Sequence, residues 1–169
     1  NNYENAIFNT EPAVIAGYQA YFDWMWGRTR SLAEGPITGE IPWGSYEGIP
    51  ADPQPSIAFN GATLPRYAFS PLGGCEQNVI AAINASQQTI HICMYSLFSQ
   101  KVGDALLAAK NRGVEVKVVM DRLQSGSSPL TKFFVENKFD FKWVGGYSGK
   151  GVMHHKFGVF DGALVITGS

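Results

Sequence analysis

The chain has 169 residues, of which 45% are hydrophobic and 16% are charged, with a formal net charge of −1. Charged residues make up about a quarter of an average domain, so this composition fits a globular chain with much buried surface and argues against disorder. The net charge excludes a global basic field that would recruit DNA or an anionic membrane, although a local groove can still be basic. The length allows one full domain plus an appendage.

The two cysteines, Cys75 and Cys93, fit neither a metal-binding spacing nor a disulfide scaffold. Cys93 lies in an apolar run, which predicts a small buried side chain. No apolar stretch approaches the roughly 20 residues that span a bilayer, and no signal peptide is visible. Because the chain begins at Asn1 rather than Met, the compartment stays open between secreted, periplasmic and cytoplasmic.

Residues 1–30 predict a short strand at Asn5–Phe8, followed by a helix whose first turn accommodates Pro12. The apolar side chains of this helix recur at helical spacing as far as the stop signal at Gly27. Residues 31–63 are rich in Gly and Pro and have no sustained period. This composition indicates a long ordered loop or linker rather than a domain.

A regular alternation of strands and helices begins at Leu64. The predicted strands are Tyr67–Phe69, Thr89–Tyr95, Val114–Met120, Phe139–Trp143, Val152–Phe160 and Leu164–Thr167. The predicted helices begin after Gly74, after the capping residue Ser99 and at Pro129. Strands that alternate with helices indicate βαβ units, whose parallel strands are buried on both faces. The predicted fold class is therefore α/β, with a mixed, largely parallel sheet flanked by helices.

The most informative segment is residues 153–162, Met-His-His-Lys-Phe-Gly-Val-Phe-Asp-Gly. Alternate side chains of a strand share a face, so His154 and Lys156 are expected to point one way and His155 the other. An imidazole beside an ammonium group suits a phosphate, because lysine neutralises the non-bridging oxygens while histidine attacks phosphorus or transfers a proton. A strand with a few polar residues on a solvated face would carry the same short pattern.

The spacing of this segment resembles a known signature. His154-x-Lys156, four residues, Asp161, six residues and Gly168-Ser169 resemble the HxKxxxxDxxxxxxGSxN motif of the phospholipase D superfamily, the HKD motif. The resemblance extends over 64–169 through a Ser-Pro-Leu-Gly turn at 70–73, Met-Tyr-Ser at 94–96 and Ala-Lys-Asn-Arg-Gly-Val at 109–114. It implies a phospholipase D/nuclease-like lobe.

The amino-terminal segment resembles another part of the same family. Asn2-Tyr3-Glu4-Asn5 and the aromatic-rich helix after it are similar to the segment that follows the GSxN element. The resemblance implies that the chain begins just after one HKD motif and ends inside a second. Residues 1–30 would then be the tail of an upstream lobe, 31–63 a connection, and 64–169 a second lobe cut at the GS element.

The resemblance also implies a mechanism with two HKD histidines. One attacks phosphorus to form a phosphohistidine, and the other protonates the leaving alkoxide and then activates water or an acceptor alcohol. This chain supplies His154 and Lys156, so the second pair must come from a missing lobe or a second chain, and the isolated piece should be inactive. Glu4 would orient His154 across the lobe interface, Asp161 would be mainly structural, and Ser169 would help to position groups of the site.

Substrate and cofactor follow less directly from these residues. A phospholipid diester and a nucleic-acid diester present the same reacting group. The mild acidity and the interleaved aromatic residues favour phospholipid slightly; the alternatives are a metal-independent nuclease acting on DNA or RNA and an inactive binding module. The mechanism requires no cofactor, and no spacing in the sequence suggests a metal site.

Two further polar residues lie in predicted strands outside the motif. His91 is expected to be a core histidine, because it lies within the apolar run at 89–95. Asp121 ends a strand, which is where open α/β sheets place ligands.

Overall fold

The structure is a computed structural model that describes residues 2–27, 48–147 and 151–168. The helices are α1 (Pro12–Trp26), α2 (Cys75–Ala85), α3 (Gln100–Asn111), α4 (Arg122–Ser125) and α5 (Pro129–Glu136). The strands are β1 (Ile57–Phe59), β2 (Ala62–Leu64), β3 (Thr89–Met94), β4 (Glu115–Asp121), β5 (Asp140–Val144), β6 (Lys156–Phe160) and β7 (Leu164–Thr167).

A five-stranded sheet with the order β5-β4-β3-β6-β7 organises the chain. Strands β3, β4 and β5 are parallel, and helices connect them as the alternating pattern predicts. Strand β6 returns antiparallel to β3, with Lys156 opposite Met94, and β7 pairs antiparallel with β6. The α/β class with a mixed sheet flanked by helices is confirmed. The first residue of β6 therefore lies at the edge of the sheet where β3 ends.

The core lies on one face of this sheet. Alternate residues of β3 and β4, including Ile90 and Val118, pack with α2, α3 and α5 into a single buried cluster. The opposite face presents His91, Glu115 and Lys117, all of them exposed. The prediction that these parallel strands are buried on both faces is thus wrong, and so is the prediction of a core histidine at His91. Its ring instead pairs with the carboxylate of Glu115 on the neighbouring strand, 3.1 Å away.

Local sequence signals set several element boundaries. The Ser99 hydroxyl accepts a hydrogen bond from the backbone of Val102 and caps α3, as predicted. Strands β6 and β7 are joined by Asp161 and Gly162, whose φ values of 50° and 63° are the left-handed pair that a tight hairpin requires. This turn fixes where the Asp161 side chain points.

Two expectations for the first 70 residues are wrong. Asn5–Phe8 forms no strand, and Phe8 is 94% exposed. Tyr67–Phe69 is not a strand either, because its two rings pack against Tyr18 of α1 instead of pairing with a sheet. The predicted loop at 31–63 is described only from residue 48, and there it contains β1 and most of β2, a hairpin that buries Phe59 in the core.

Candidate active site

The predicted histidine–lysine pair lies at the start of β6. Lys156 Nζ is 3.2 Å from His154 Nε2 and donates to the backbone oxygen of His154 at 2.9 Å. His155 points to the other side, where its ring lies 5.6 Å from that of Phe157, measured between centroids. The side chains alternate as the strand period predicts, although only Lys156 of the three belongs to the hydrogen-bonded strand. An imidazole and an ammonium group therefore share one face.

The amino-terminal segment runs alongside this pair. Tyr3 forms a parallel bridge with Met153: the Tyr3 N–H donates to Val152 O at 3.1 Å, and the His154 N–H donates to Tyr3 O at 2.9 Å. The bridge brings the next side chain, Glu4, to the imidazole, with Oε2 3.1 Å from His154 Nδ1. The contact expected from the resemblance is present, and it is built on backbone pairing.

The Glu4 contact defines the state of the ring. An ionised carboxylate only accepts hydrogen bonds, so this contact assigns the hydrogen to His154 Nδ1. In the neutral ring the lone pair is then on Nε2, which Lys156 Nζ approaches to 3.2 Å. The hydrogen bond from His154 lowers the pKa of Glu4 below its ordinary value, and it outweighs the opposing effect of desolvation. Glu4 is thus held in the charged form that can stabilise an imidazolium.

Tyr95 supports both members of the pair, and its part in the site was not predicted. Its ring meets that of His154 edge to face with centroids 4.7 Å apart, and Lys156 Nζ lies 5.4 Å from its centroid. The signal for it in the sequence is the strand end at 94–96, because Met94 and Lys156 are opposite each other in the sheet. The Tyr95 ring therefore contacts both polar groups of the pair.

Glu4, His154 and Lys156 line a shallow, open depression of about 280 Å³. Its lining residues are Glu4, Asn5, His154, Lys156, Thr167 and Gly168. Asn5 Nδ2 donates to Thr167 Oγ1 at 3.2 Å, and that hydroxyl donates to the backbone oxygen of Lys156 at 2.9 Å. The amino-terminal segment and β7 therefore close two sides of the depression. Ser169, the last residue predicted for the site, lies outside the described residues.

Asp161 lies away from the depression. Its two carboxylate oxygens accept hydrogen bonds from the backbone N–H groups of Gln87, Gln88 and Thr89, each at 2.8 Å, and from the Asn60 side chain at 2.6 Å. Burial raises the pKa of Asp161, but these hydrogen bonds together outweigh it and hold the pKa below the ordinary value. The contacts are those of a residue that ties the β6–β7 turn to the start of β3.

Asp121, at the end of β4, is fully buried rather than open to a ligand. Its carboxylate accepts hydrogen bonds only from backbone groups among the contacts described, namely the N–H groups of Leu123, Gln124 and Met153. The expectation that it lies at an open ligand-binding edge is wrong. One of these hydrogen bonds comes from Met153, the residue directly before His154.

Across residues 2–27, 48–147 and 151–168, no cluster of three His, Cys, Asp or Glu side chains is arranged to hold a metal ion. Over the same ranges, none of the helices has the length and apolar character needed to cross a membrane.

The chain is similar to known proteins over at least half of its length. Residues 79–169 match the family described as "Cardiolipin synthase, PLD-like domain". A phospholipase D of Rickettsia typhi is 31% identical over 103 residues, a match that covers 60% of this chain and 48% of the relative. A mitochondrial cardiolipin hydrolase of Xenopus tropicalis is 34% identical over 89 residues, which is 50% of this chain and 39% of that protein.

The fold is similar to that of a solved relative as well. The crystal structure of a phospholipase D family member, Nuc from Salmonella typhimurium, superimposes with a TM-score of 0.53 at 28% identity, covering 60% of this chain and 67% of that one. The chain spans about half the length of the curated phospholipases D it matches. Because the family match covers more than half of the chain and includes the histidine–lysine strand, this chain belongs to the phospholipase D superfamily.

Proposed function

We propose that the whole protein is a phosphodiesterase in which His154 and Lys156 form one half of a two-histidine active site. The observation that carries the proposal is the meeting of three groups at one ring. The Glu4 carboxylate lies 3.1 Å from His154 Nδ1, and the Lys156 ammonium lies 3.2 Å from Nε2 and 3.3 Å from Nδ1. The carboxylate orients the ring, the ring offers Nε2, and the ammonium supplies positive charge for a phosphoryl oxygen. Each group has a separate task in diester cleavage.

The chemical step follows from that arrangement. The lone pair of His154 Nε2 forms a bond to phosphorus while the bond from phosphorus to the leaving oxygen breaks. The leaving alkoxide takes a proton from the second histidine, and that histidine then removes a proton from water or an acceptor alcohol. The oxygen of that molecule bonds to phosphorus while the bond from phosphorus to His154 Nε2 breaks. Lys156 moves from the ring to a non-bridging oxygen, and Glu4 stabilises the positive charge that develops on the ring.

The second histidine–lysine pair comes from an upstream lobe or from a second chain. In support, the described residues contain one HxK pair, and it lies in an open depression that no second histidine lines. Residues 1–30 would belong to the upstream lobe as its tail, and they already reach His154 through the Tyr3 bridge. Residues 31–63 would connect the lobes, and 64–169 would form most of the second lobe.

A phospholipid is the substrate that the observations favour. The two relatives compared above are named for phospholipid diesters, and the chain's net charge of −1 offers no general attraction for a polyanion. A nucleic-acid diester has the same reacting group, so a direct comparison is required. We expect the whole protein to cleave phosphatidylcholine or cardiolipin in vesicles faster than single-stranded DNA.

The chain contains its own control for this experiment. On the exposed sheet face, Glu115 lies 3.1 Å from the His91 ring and 2.9 Å from Lys117 Nζ, so it groups the same three residue types as the site does. His154→Ala should reduce turnover to background, and Lys156→Ala should reduce kcat by about 10²-fold or more. The matched variants His91→Ala and Lys117→Ala should retain wild-type turnover.

The results of this experiment distinguish a phospholipase, a nuclease and an inactive binding module. Loss of lipid cleavage in the site variants alone supports the proposed phospholipase. Faster cleavage of single-stranded DNA, lost in the same two variants, would replace the lipid assignment with a nuclease. Turnover that survives His154→Ala on both substrates would contradict the assigned site, and no turnover by the wild-type protein on either would favour a binding module.

A further inference from the structure

We infer that Asp121 is a positioning residue for His154, acting through the backbone of Met153. This inference rests on the proposed function, because it assigns to the reaction a residue that does not touch the substrate site. Asp121 lies at the last position of β4 and belongs to neither the HKD motif nor the depression.

The contacts of Asp121 divide between two tasks. Oδ1 accepts from the N–H groups of Leu123 at 2.9 Å and Gln124 at 3.1 Å, which caps α4. Oδ2 accepts from the N–H of Met153 at 2.9 Å. The side chain is fully buried, and burying a carboxylate is costly unless hydrogen bonds replace water. Only the second oxygen reaches the catalytic segment.

The Met153 contact supports residues 152–154, which lie just outside the regular pairing of β3 with β6. Residues 152–155 precede β6, and the hydrogen bonds from the sheet begin at His155, whose backbone oxygen accepts from the Tyr95 N–H at 2.7 Å. Tyr3 bonds the two outward-facing groups, Val152 O and the His154 N–H, while the Met153 N–H points inward to Asp121. Met153 is 1% exposed, so its N–H has no water to replace a lost acceptor. Asp121 therefore anchors the backbone N–H of the residue directly before His154.

Two substitutions separate the anchor from the helix cap. In Asp121→Asn, the one remaining oxygen can accept a hydrogen bond from α4 or from the Met153 N–H, but not from both. The amide NH₂ then faces the N–H group that has lost its acceptor, and two donors cannot bond to each other. In Asp121→Ser, the hydroxyl can still cap α4 but is too short to reach Met153. If the asparagine variant does not fold, the serine variant still removes the anchor alone.

The matched control is Ser125→Ala. Ser125 is buried, and its hydroxyl donates to the backbone oxygen of Asp121 at 2.6 Å, so its loss weakens the same corner and leaves the carboxylate in place. A role in stability alone predicts similar effects from all three variants. A positioning role predicts that only the two Asp121 variants lower turnover.

The experiment measures kcat and KM on lipid vesicles, together with hydrogen exchange of the Met153 amide, in the whole protein. We expect Asp121→Asn and Asp121→Ser to lower kcat by about 10²-fold with KM nearly unchanged, and to speed Met153 exchange at least tenfold. Ser125→Ala should keep wild-type kcat and slow exchange.

Wild-type kcat in a folded Asp121→Ser protein would overturn the inference, and so would an equal loss of kcat in Ser125→Ala. If the wild-type protein cleaves neither lipid nor DNA, the proposed function fails, and exchange alone decides on the anchor. In that case, Met153 exchange as slow in Asp121→Ser as in the wild type would overturn the anchor as well.

Discussion

Glu4 and His154 are separated by 150 residues in the chain, yet Glu4 Oε2 lies 3.1 Å from His154 Nδ1. The contact is built on a pair of backbone hydrogen bonds around Tyr3, which hold the amino-terminal segment against residues 152–154. The side chains of Asn2 and Asn5 add hydrogen bonds to the Val152 N–H and to Thr167. Because both side chains are partly exposed, their attraction is screened by solvent and does little to hold the segment in place. The pair is better suited to orienting a ring than to stabilising the fold.

Glu4→Gln should therefore lower turnover much more than stability. Glutamine keeps the shape of the side chain but removes the charge that stabilises the imidazolium, so kcat should fall by about 10²-fold or more. The measurement is kcat on lipid vesicles beside the Tm of the same protein. Glu115→Gln is the matched control, since Glu115 lies at the same distance of 3.1 Å from His91. Normal turnover in Glu4→Gln, or an equal loss in Glu115→Gln, would contradict the role of Glu4.

Much of the geometry around the motif could be predicted from short-range patterns. The alternation of side chains placed His154 and Lys156 on one face because a strand has a period of two, and this holds even just before β6 begins. The Ser99 cap and the turn at Asp161 and Gly162 depend on the conformations of neighbouring residues. Such features involve a few adjacent positions, so local sequence is sufficient to predict them.

Contacts between distant segments could not be predicted in the same way. The sequence predicted Asp121 to be a strand-end ligand group. Its contact with the Met153 N–H could not be predicted, because that contact depends on how β4 and β6 are arranged around β3. Tyr67 and Phe69 have strand-like composition, but their rings find partners on α1. His91 lies in an apolar run, and only the packing of helices on one face decides that it is exposed. In each case tertiary contacts override the local preference.

A chelator should leave turnover unchanged. In the proposed reaction, Lys156 neutralises the phosphoryl oxygens and histidine forms the bond to phosphorus, so both tasks that a metal ion performs in other phosphodiesterases are already filled. The measurement is the initial rate on lipid vesicles with and without EDTA, in a buffer free of added divalent ions. A rate that disappears with EDTA and returns with zinc or magnesium would contradict the proposed mechanism.

Tyr95→Leu should weaken the pair of catalytic groups without removing either of them. The ring contributes an edge-to-face contact to His154 and a cation–π contact to Lys156, each worth about 1 kcal/mol. Their loss should lower kcat/KM by roughly tenfold to thirtyfold. Tyr95→Phe keeps the ring and should restore most of the activity. A phenylalanine variant as impaired as the leucine variant would show that the hydroxyl, not the ring, is what matters.

Asp161→Asn should change how stability depends on pH. The pKa of Asp161 is lower in the folded protein than its ordinary value, so its stabilising effect is present above the unfolded pKa of about 3.9. That effect is lost as the pH falls through this value toward the folded pKa, because the carboxyl group must then be protonated. At neutral pH, asparagine gives up charge-assisted hydrogen bonds to the backbone, and the free energy of unfolding should drop by about 2 kcal/mol.

The measurement is the Tm of both proteins from pH 7 to pH 2.5. Glu4, Glu76 and Glu115 also have lowered pKa values, so both curves should fall in acid. The difference between the curves isolates Asp161, and it should narrow below about pH 4 as the wild-type carboxyl group becomes protonated. Parallel curves would mean that the hydrogen bonds to the start of β3 do not depend on the charge of Asp161. A difference in Tm between the two proteins that grows as the pH falls would contradict the lowered pKa of Asp161.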